Sequence, residues 1–226
     1  MIAIIGAMDE EIQAIYERMQ KVEKQSIYQL EVYLGVLNNK EVILFKSGVG
    51  LTNAAISTSL VLSHYPIKSV INIGTAGAIH EDVKVLDVVV STLVTYHDID
   101  ISPFGNPRSF SADNRFVYRA DEKLVAMAQK LIEKNVHVGP IVSGNQFISN
   151  AQQVKEIETY YPEALCVEME AASIAQCCAY FSIPFIILRS ISDHVKSHEN
   201  SIGFSEYLKK ASQRSAKFTF DFVEYI

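Results

Sequence analysis

The chain has no surplus of positive charge: 20 Lys and Arg stand against 26 Asp and Glu in 226 residues, a formal net charge of −6. No basic stripe gathers anywhere along it, which argues against a nucleic-acid surface. Cysteine is scarce. Cys166, Cys177 and Cys178 are an odd number without metal-ligand spacing, set in apolar surroundings. They read as small buried thiols of a reducing compartment, not as a zinc site or a disulfide framework. No apolar run reaches membrane-spanning length. The first residues, Met1–Gly6, have neither the basic start nor the long apolar core of a secretory signal, so a cytoplasmic protein that makes no membrane contact is expected. Repeats, low-complexity tracts and linkers are also missing, so 1–226 reads as a single domain.

What the chain does have is apolar substance, 49% of its residues, enough for one large core. Strand-like runs recur at Ile2–Ile5, Glu31–Leu37, Val42–Lys46, Ser69–Ile73, Asp87–Thr92, Val136–Val142, Leu165–Glu168 and Pro184–Leu188. Helical patterns fall between them at Asp9–Lys24, Thr52–His64, Glu122–Lys134, Gln152–Tyr160, Ala171–Phe181 and Phe204–Tyr225. Such alternation predicts an α/β fold: a central twisted sheet, largely parallel, with helices packed on it. Asn38-Asn39-Lys40 joins two neighbouring strands as an antiparallel hairpin would, which makes the expected sheet mixed. The irregular stretch 96–114 predicts a long loop of the kind that carries function.

In sheets of this type ligands sit beyond the carboxyl ends of the strands, and five such ends are candidates here. The first is Gly6-Ala7-Met8 before Asp9-Glu10-Glu11, and the second is Gly74-Thr75-Ala76-Gly77, read as a glycine turn. Neither matches the dinucleotide fingerprint or the phosphate loop, and three carboxylates with no cation before Arg18 would repel an anion. Asp9 and Glu10 suit the helix macrodipole, which leaves Glu11 as the one to face a pocket. The third end is Val167-Glu168-Met169-Glu170-Ala171, where strand alternation aims both glutamates to one side, although acidic residues also simply open helices. The fourth runs from Phe185 through Arg189 to Asp193, where an Arg189–Asp193 ion pair is the bland expectation. Phe147 and Ile148 follow another strand, in a loop where an aromatic side chain either stacks on a planar ligand or plugs the domain. Carboxylates on opposite sides of a bond are equipment for glycosidic cleavage through an oxocarbenium-like transition state.

Taken together, Ile4–Glu11, Lys46–Gly50, Asn72–Gly77, Tyr96–Asp98, Val142–Gly144, Val167–Ala171 and Arg189–Asp193 resemble the motifs of the methylthioadenosine/S-adenosylhomocysteine nucleosidases, within the purine nucleoside phosphorylase superfamily. The likeness runs over essentially the whole chain. It implies the nucleoside phosphorylase-like fold and hydrolysis of the N-ribosidic bond of 5′-thioadenosines, with 5′-deoxyadenosine as a further substrate. It also implies that neither metal nor organic cofactor takes part. By the resemblance Asp193 is the acid that protonates adenine N7, a role that requires its carboxyl to hold a proton near neutral pH. Thr75, where the family often has serine, orients Asp193. Glu11 is the base that activates water, Arg189 places that water, and Glu170 accepts the ribose hydroxyls. Phe147 stacks on adenine and the Ile148 backbone reads its edge. Met8, Val49, Val167, Met169 and Phe204 line the sugar and thioether region. Glu168 receives no catalytic role.

The resemblance further implies a homodimer in which the 96–114 loop, with Ile101 and Phe104, completes the partner's site. Two departures stand out: Asn145 replaces the family's usual aspartate, and 101–108 diverges from the usual loop, which leaves open the preference among 5′ substituents. Three other readings stand beside the hydrolase. A phosphate-dependent purine nucleoside phosphorylase would need a cationic cluster near the first glycine turn, where this chain has Glu11. Another purine nucleoside hydrolase would share the machinery and differ in substrate. A catalytically silent nucleoside-binding protein would need neither an acid nor a base.

Overall fold

The computed structural model describes residues 1–196 and 200–226, and of 200–206 the backbone only. Among the described residues ten strands form one mixed sheet: β1 (Ile2–Gly6), β2 (Gln20–Ile27), β3 (Leu30–Leu37), β4 (Lys40–Lys46), β5 (Ser69–Ala78), β6 (Val88–Tyr96), β7 (Tyr118–Arg119), β8 (Val136–Ser143), β9 (Cys166–Glu168) and β10 (Phe185–His194). Six helices accompany it: α1 (Asp9–Tyr16), α2 (Leu51–His64), α3 (Glu122–Ala128), α4 (Ala151–Tyr160), α5 (Ala171–Phe181) and α6 (Asn200–Val223).

The sheet does more than twist. Its order is β10-β6-β8-β9-β5-β1-β4-β3-β2, and β10 also pairs β5 in parallel, so five strands close into a ring with the other four main strands running off one side. β5 is the seam of this arrangement, paired with β1, β9 and β10, and all ten of its residues are buried. That explains its continuous apolar run, the mark of a strand covered on both faces. Alternation along β1 then sorts the core: Ala3 and Ile5 pack in a cluster that includes Ala54 of α2 and Ile174 of α5, while Ile2 and Ile4 join Ile15 of α1 and Phe222 of α6.

Several boundaries differ from the sequence expectation. The helix expected over Asp9–Lys24 stops at Tyr16, and Gln20–Ile27 is a strand instead. This polar edge strand pairs only with β3 and has one buried residue, Ile27, so its helix-forming Lys, Glu and Gln gave no inkling of the pairing that overrides them. The Gly74–Gly77 segment is no turn: β5 continues through it to Ala78, paired with β10. β10 runs on to His194 with a bulge between Ile191 and Asp193. The helix expected to reach Lys134 ends at Ala128 and gives way to a single 3₁₀ turn. The hairpin is as expected: Leu37 pairs Lys40, and Asn38 and Asn39 take φ of 47° and 62°, the left-handed pair that a two-residue turn needs.

Because β5 holds both the ring and the remaining strands, truncation there should be felt by the whole domain. Ile71 is fully buried between β1 and β10. Ile71→Ala should destabilise the protein by about 2–5 kcal/mol. Urea unfolding checks this, and the midpoint should fall with no change in slope.

Candidate active site

The carboxyl ends of β1, β5, β9 and β10 surround a cavity of about 280 Å³. Its lining combines Glu11, Thr75, Glu168, Glu170, Ser192 and Asp193 with the apolar Met8, Val49, Phe147, Val167 and Met169. Nine of the residues picked from the sequence therefore meet here. Ile148 lines a small recess that adjoins the cavity and shares Gly77, Phe147 and Asp193 with it. Ile101 and Phe104 lie elsewhere, on the long loop, where Phe104 is 83% exposed. The side chain of Phe204 lies outside the described residues. No described lining residue is a lysine or an arginine.

Glu11 owes its place to the start of α1. Asp9 and Glu10 point to solvent, Asp9 pairing with Lys46, while Glu11 turns inward and is buried. One carboxylate oxygen accepts from the N–H groups of Ala7 (2.7 Å) and Met8 (3.1 Å). The other accepts from the N–H (2.9 Å) and hydroxyl (3.2 Å) of Thr75. The Thr75 hydroxyl meets Glu11, where the resemblance assigned it to Asp193; among the described residues Ser192 donates its hydroxyl to Asp193 at 2.8 Å. The β10 bulge brings Ser192 and Asp193 to the cavity together. Burial pushes the Glu11 carboxyl above the usual range, and Arg189 with the three N–H groups draws it part of the way back.

The two glutamates of β9 and its exit divide their labour. Glu168 fulfils the ordinary reading of an acid at a helix start, since its carboxylate accepts from the N–H groups of Glu170 (3.0 Å) and Ala171 (2.9 Å). It also accepts from the Ser143 hydroxyl, and it meets Arg189 Nη2 at 2.5 Å with both side chains buried. The expected Arg189–Asp193 pair is therefore replaced by Arg189–Glu168. Asn72 fixes the same guanidinium nitrogen at 2.7 Å, and the Asn72 amide donates to the Ile5 carbonyl at 2.9 Å. Glu170 stands free of this network on the side chain: its Oε1 accepts from the Gly50 N–H at 2.8 Å, across the cavity. Burial, then the neighbouring Glu168, push its carboxyl up to about 8, against the pull of Arg189 and the Gly50 N–H.

Glycine at 74 is a matter of approach. A Cβ there would sit 2.9 Å from Arg189 Nη1 and 2.9 Å from Glu11 Oε1, so only a bare backbone lets guanidinium and carboxylate come so near. Arg189 itself lies behind this wall and does not line the cavity. Sequence reasoning missed Asn72, Ser143 and the structural weight of Glu168. The signal was a polar residue in an otherwise apolar strand, which in a buried sheet requires a partner.

Residues 1–224 match the family model of the phosphorylase superfamily. The 5′-methylthioadenosine/S-adenosylhomocysteine nucleosidase of Staphylococcus carnosus is 39% identical over 227 residues, with 99% of each chain covered. Among solved structures, the nucleosidase of that name from Neisseria meningitidis, in complex with methylthio-immucillin-A, is similar with a TM-score of 0.94 at 35% identity, covering 100% of this chain and 99% of the other. The Streptococcus pneumoniae MTA/SAH nucleosidase in complex with 8-aminoadenine gives a TM-score of 0.94 at 32% identity, with 100% and 99% covered.

The Glu168–Arg189 pair yields a stability prediction. Glu168→Gln keeps the shape but leaves the guanidinium buried without its carboxylate, which should cost about 3–5 kcal/mol at neutral pH. Chemical denaturation measures it; a loss below about 1 kcal/mol, the size of an exposed pair, would show that the pair is not buried as described.

Proposed function

The chain belongs to the phosphorylase superfamily and, within it, to the 5′-methylthioadenosine/S-adenosylhomocysteine nucleosidases, and from that premise we propose how its own residues carry out the reaction. It is an N-glycosyl hydrolase that splits the N-ribosidic bond of these substrates, releasing adenine and the 5′-substituted ribose. The observation that carries the residue roles is a single cavity lined by Glu11, Glu170 and Asp193 together with an apolar wall of Met8, Val49, Phe147 and Met169.

In this reading adenine lies toward Phe147 and Ile148, with N7 at Asp193. The acid gives its proton to N7 as the C1′–N9 bond breaks, so adenine leaves neutral. Positive charge grows on the ribose ring, and in a site of low polarity it favours the ionised forms of Glu11 and Glu170 that burial alone opposes. Glu170 accepts the ribose hydroxyls. Glu11 removes a proton from water as the oxygen attacks C1′, held for that task by Thr75 and by the Ala7 and Met8 N–H groups. Arg189, which does not line the cavity, acts on this base through its charge from behind Gly74 and does not touch the water itself. The thioether group sits among Met8, Val49, Val167 and Met169.

Water as the nucleophile follows from charge. The N–H groups at the start of α1, which elsewhere would cradle an anion, are already taken by the Glu11 carboxylate. A phosphate dianion would meet that carboxylate with no cation on the described lining to offset it. We further propose that the chain works as a single catalytic domain in the cytoplasm, as a homodimer without nucleic-acid partners. In that dimer the 96–114 loop would carry Ile101 and Phe104 into the neighbouring site; the exposure of Phe104 within one chain supports this. No described helix is long and apolar enough to cross a membrane.

Methylthioadenosine should be cleaved at full rate in phosphate-free buffer, giving free methylthioribose. A sugar 1-phosphate product, or a requirement for phosphate, would replace this reading with phosphorolysis. Asp193→Asn should lower turnover roughly a hundredfold or more while the fold persists; near-normal turnover would remove Asp193 from its role. Glu11→Gln should abolish hydrolysis and leave binding of an adenine-containing inhibitor largely intact.

The pH profile has a definite sign. Glu11 must be ionised to act as a base and Glu170 to receive the ribose hydroxyls, and burial raises both pKa values, so kcat/KM should fall as pH is lowered. The inflection should lie above the ordinary glutamate value of about 4.3. A profile flat down to about pH 4 would exclude a buried carboxylate base.

A further inference from the structure

Helix α2 begins without any cap of its own. The residue at its N-cap is Gly50, with φ of 95° and no side chain, and it follows Gly48 at φ 81°. The first N–H groups of a helix need acceptors from elsewhere, and two side chains far along the chain supply them. Gly50 N–H donates to Glu170 Oε1 at 2.8 Å, and Leu51 N–H donates to Asn145 Oδ1 at 3.0 Å. Both acceptors come from across the cavity mouth, where Val49 and Phe147 are the lining residues most open to solvent, at 48% and 42%.

We propose that Asn145 is a positioning residue, whose side chain caps α2 from across the mouth and thereby holds the 48–50 turn where Gly50 meets Glu170. The proposal rests on the reading of Glu170 as the carboxylate that receives the sugar hydroxyls. The firm side of the contact is that of Asn145. Its own N–H is held by Asp98 at 2.8 Å, and the preceding Gly144 donates its N–H to the Glu168 carbonyl at 3.1 Å. Gly144 also packs so closely on His97 that a Cβ there would lie 2.3 Å from the ring. The turn is the soft side. Two glycines give it freedom, and its internal brace, Asn53 to the Val49 carbonyl at 2.8 Å, does not tie it to β9. Gly50 also has little room for change, since a Cβ would stand 3.3 Å from Asn145 Oδ1.

At this place Asn145 differs from the family's usual aspartate in carrying no charge. It accepts the Leu51 N–H without adding negative charge beside Glu170, whose ionisation burial and Glu168 already oppose. Asn145→Asp would keep the acceptor and add the charge, while Asn145→Ala would remove both.

Kinetics with methylthioadenosine and calorimetry with adenine, which does not carry the sugar, separate the possibilities. For Asn145→Ala, KM should rise about five- to tenfold while adenine affinity stays within about twofold. The acidic limb of kcat/KM should move to higher pH, because the Gly50 N–H that favours ionised Glu170 is loosened. Asn145→Asp should restore KM to within about twofold and keep the displaced limb. An unchanged KM and pH profile in Asn145→Ala, equal weakening of adenine, or failure of Asn145→Asp to rescue KM would each overturn the proposal. Glu170→Gln is the control. If it is impaired while Asn145→Ala is normal, only the positioning role falls; if it behaves as wild type, the reading of Glu170 falls and this proposal with it.

Discussion

The buried contact between Glu168 and Arg189 is the interaction on which the rest of the site depends. Arg189 is the largest of the fully buried side chains, and it lies amid Glu11, Glu168 and Glu170. Three carboxylates cannot share a water-poor space without compensation, because each loses hydration and repels the others. Glu168 takes the direct contact, along with the Ser143 hydroxyl and the N–H groups that open α5. With one carboxylate paired off, the guanidinium acts on Glu11 and Glu170 through space, moderating them without neutralising them. That leaves two carboxylates facing the cavity in environments that oppose ionisation. In the proposed mechanism such a site has most to gain from a developing positive charge on the sugar.

The same economy explains why the first glycine turn does not serve as an anion cradle. Helix N-termini attract negative charge, and here the charge is supplied from within, by Glu11 folding back onto Ala7 and Met8. A fold that could hold phosphate at this turn instead holds a carboxylate there. Thr75 completes the arrangement from β5, giving Glu11 a fixed bearing that one helix turn alone could not provide.

Much of this was legible in the sequence. The alternation of apolar runs revealed the α/β class, and the strand ends pointed to Glu11, Glu170 and Asp193, which line one cavity. What stayed hidden depended on partners remote in sequence. Nothing local told that Gln20–Ile27 would be a strand, because its pairing with β3 decides the matter. Gly74–Gly77 looked like a turn because glycine in a strand usually breaks it, whereas here glycine makes room for Arg189 and Asp193. The resemblance assigned the Thr75 hydroxyl to Asp193 and it meets Glu11, since spacing does not say which of two acids a hydroxyl will meet. Glu168 and Glu170 looked equivalent by strand alternation, but β9 ends at Glu168, and the chain turns into α5 before alternation can place Glu170.

The closure of β10 onto β5 has a consequence for the order in which the protein is made. The Asn72–Arg189 contact spans 117 residues and the Gly50–Glu170 contact 120, so neither forms until most of the chain has left the ribosome. Before β10 arrives, the carboxylates of the first half and of β9 have no buried cation to draw them inward, and water remains their better host. Closure of the ring and burial of the acids both wait on β10. A chain arrested before residue 189 is an unfinished barrel whose β5 seam, apolar on both faces, is left open to other proteins.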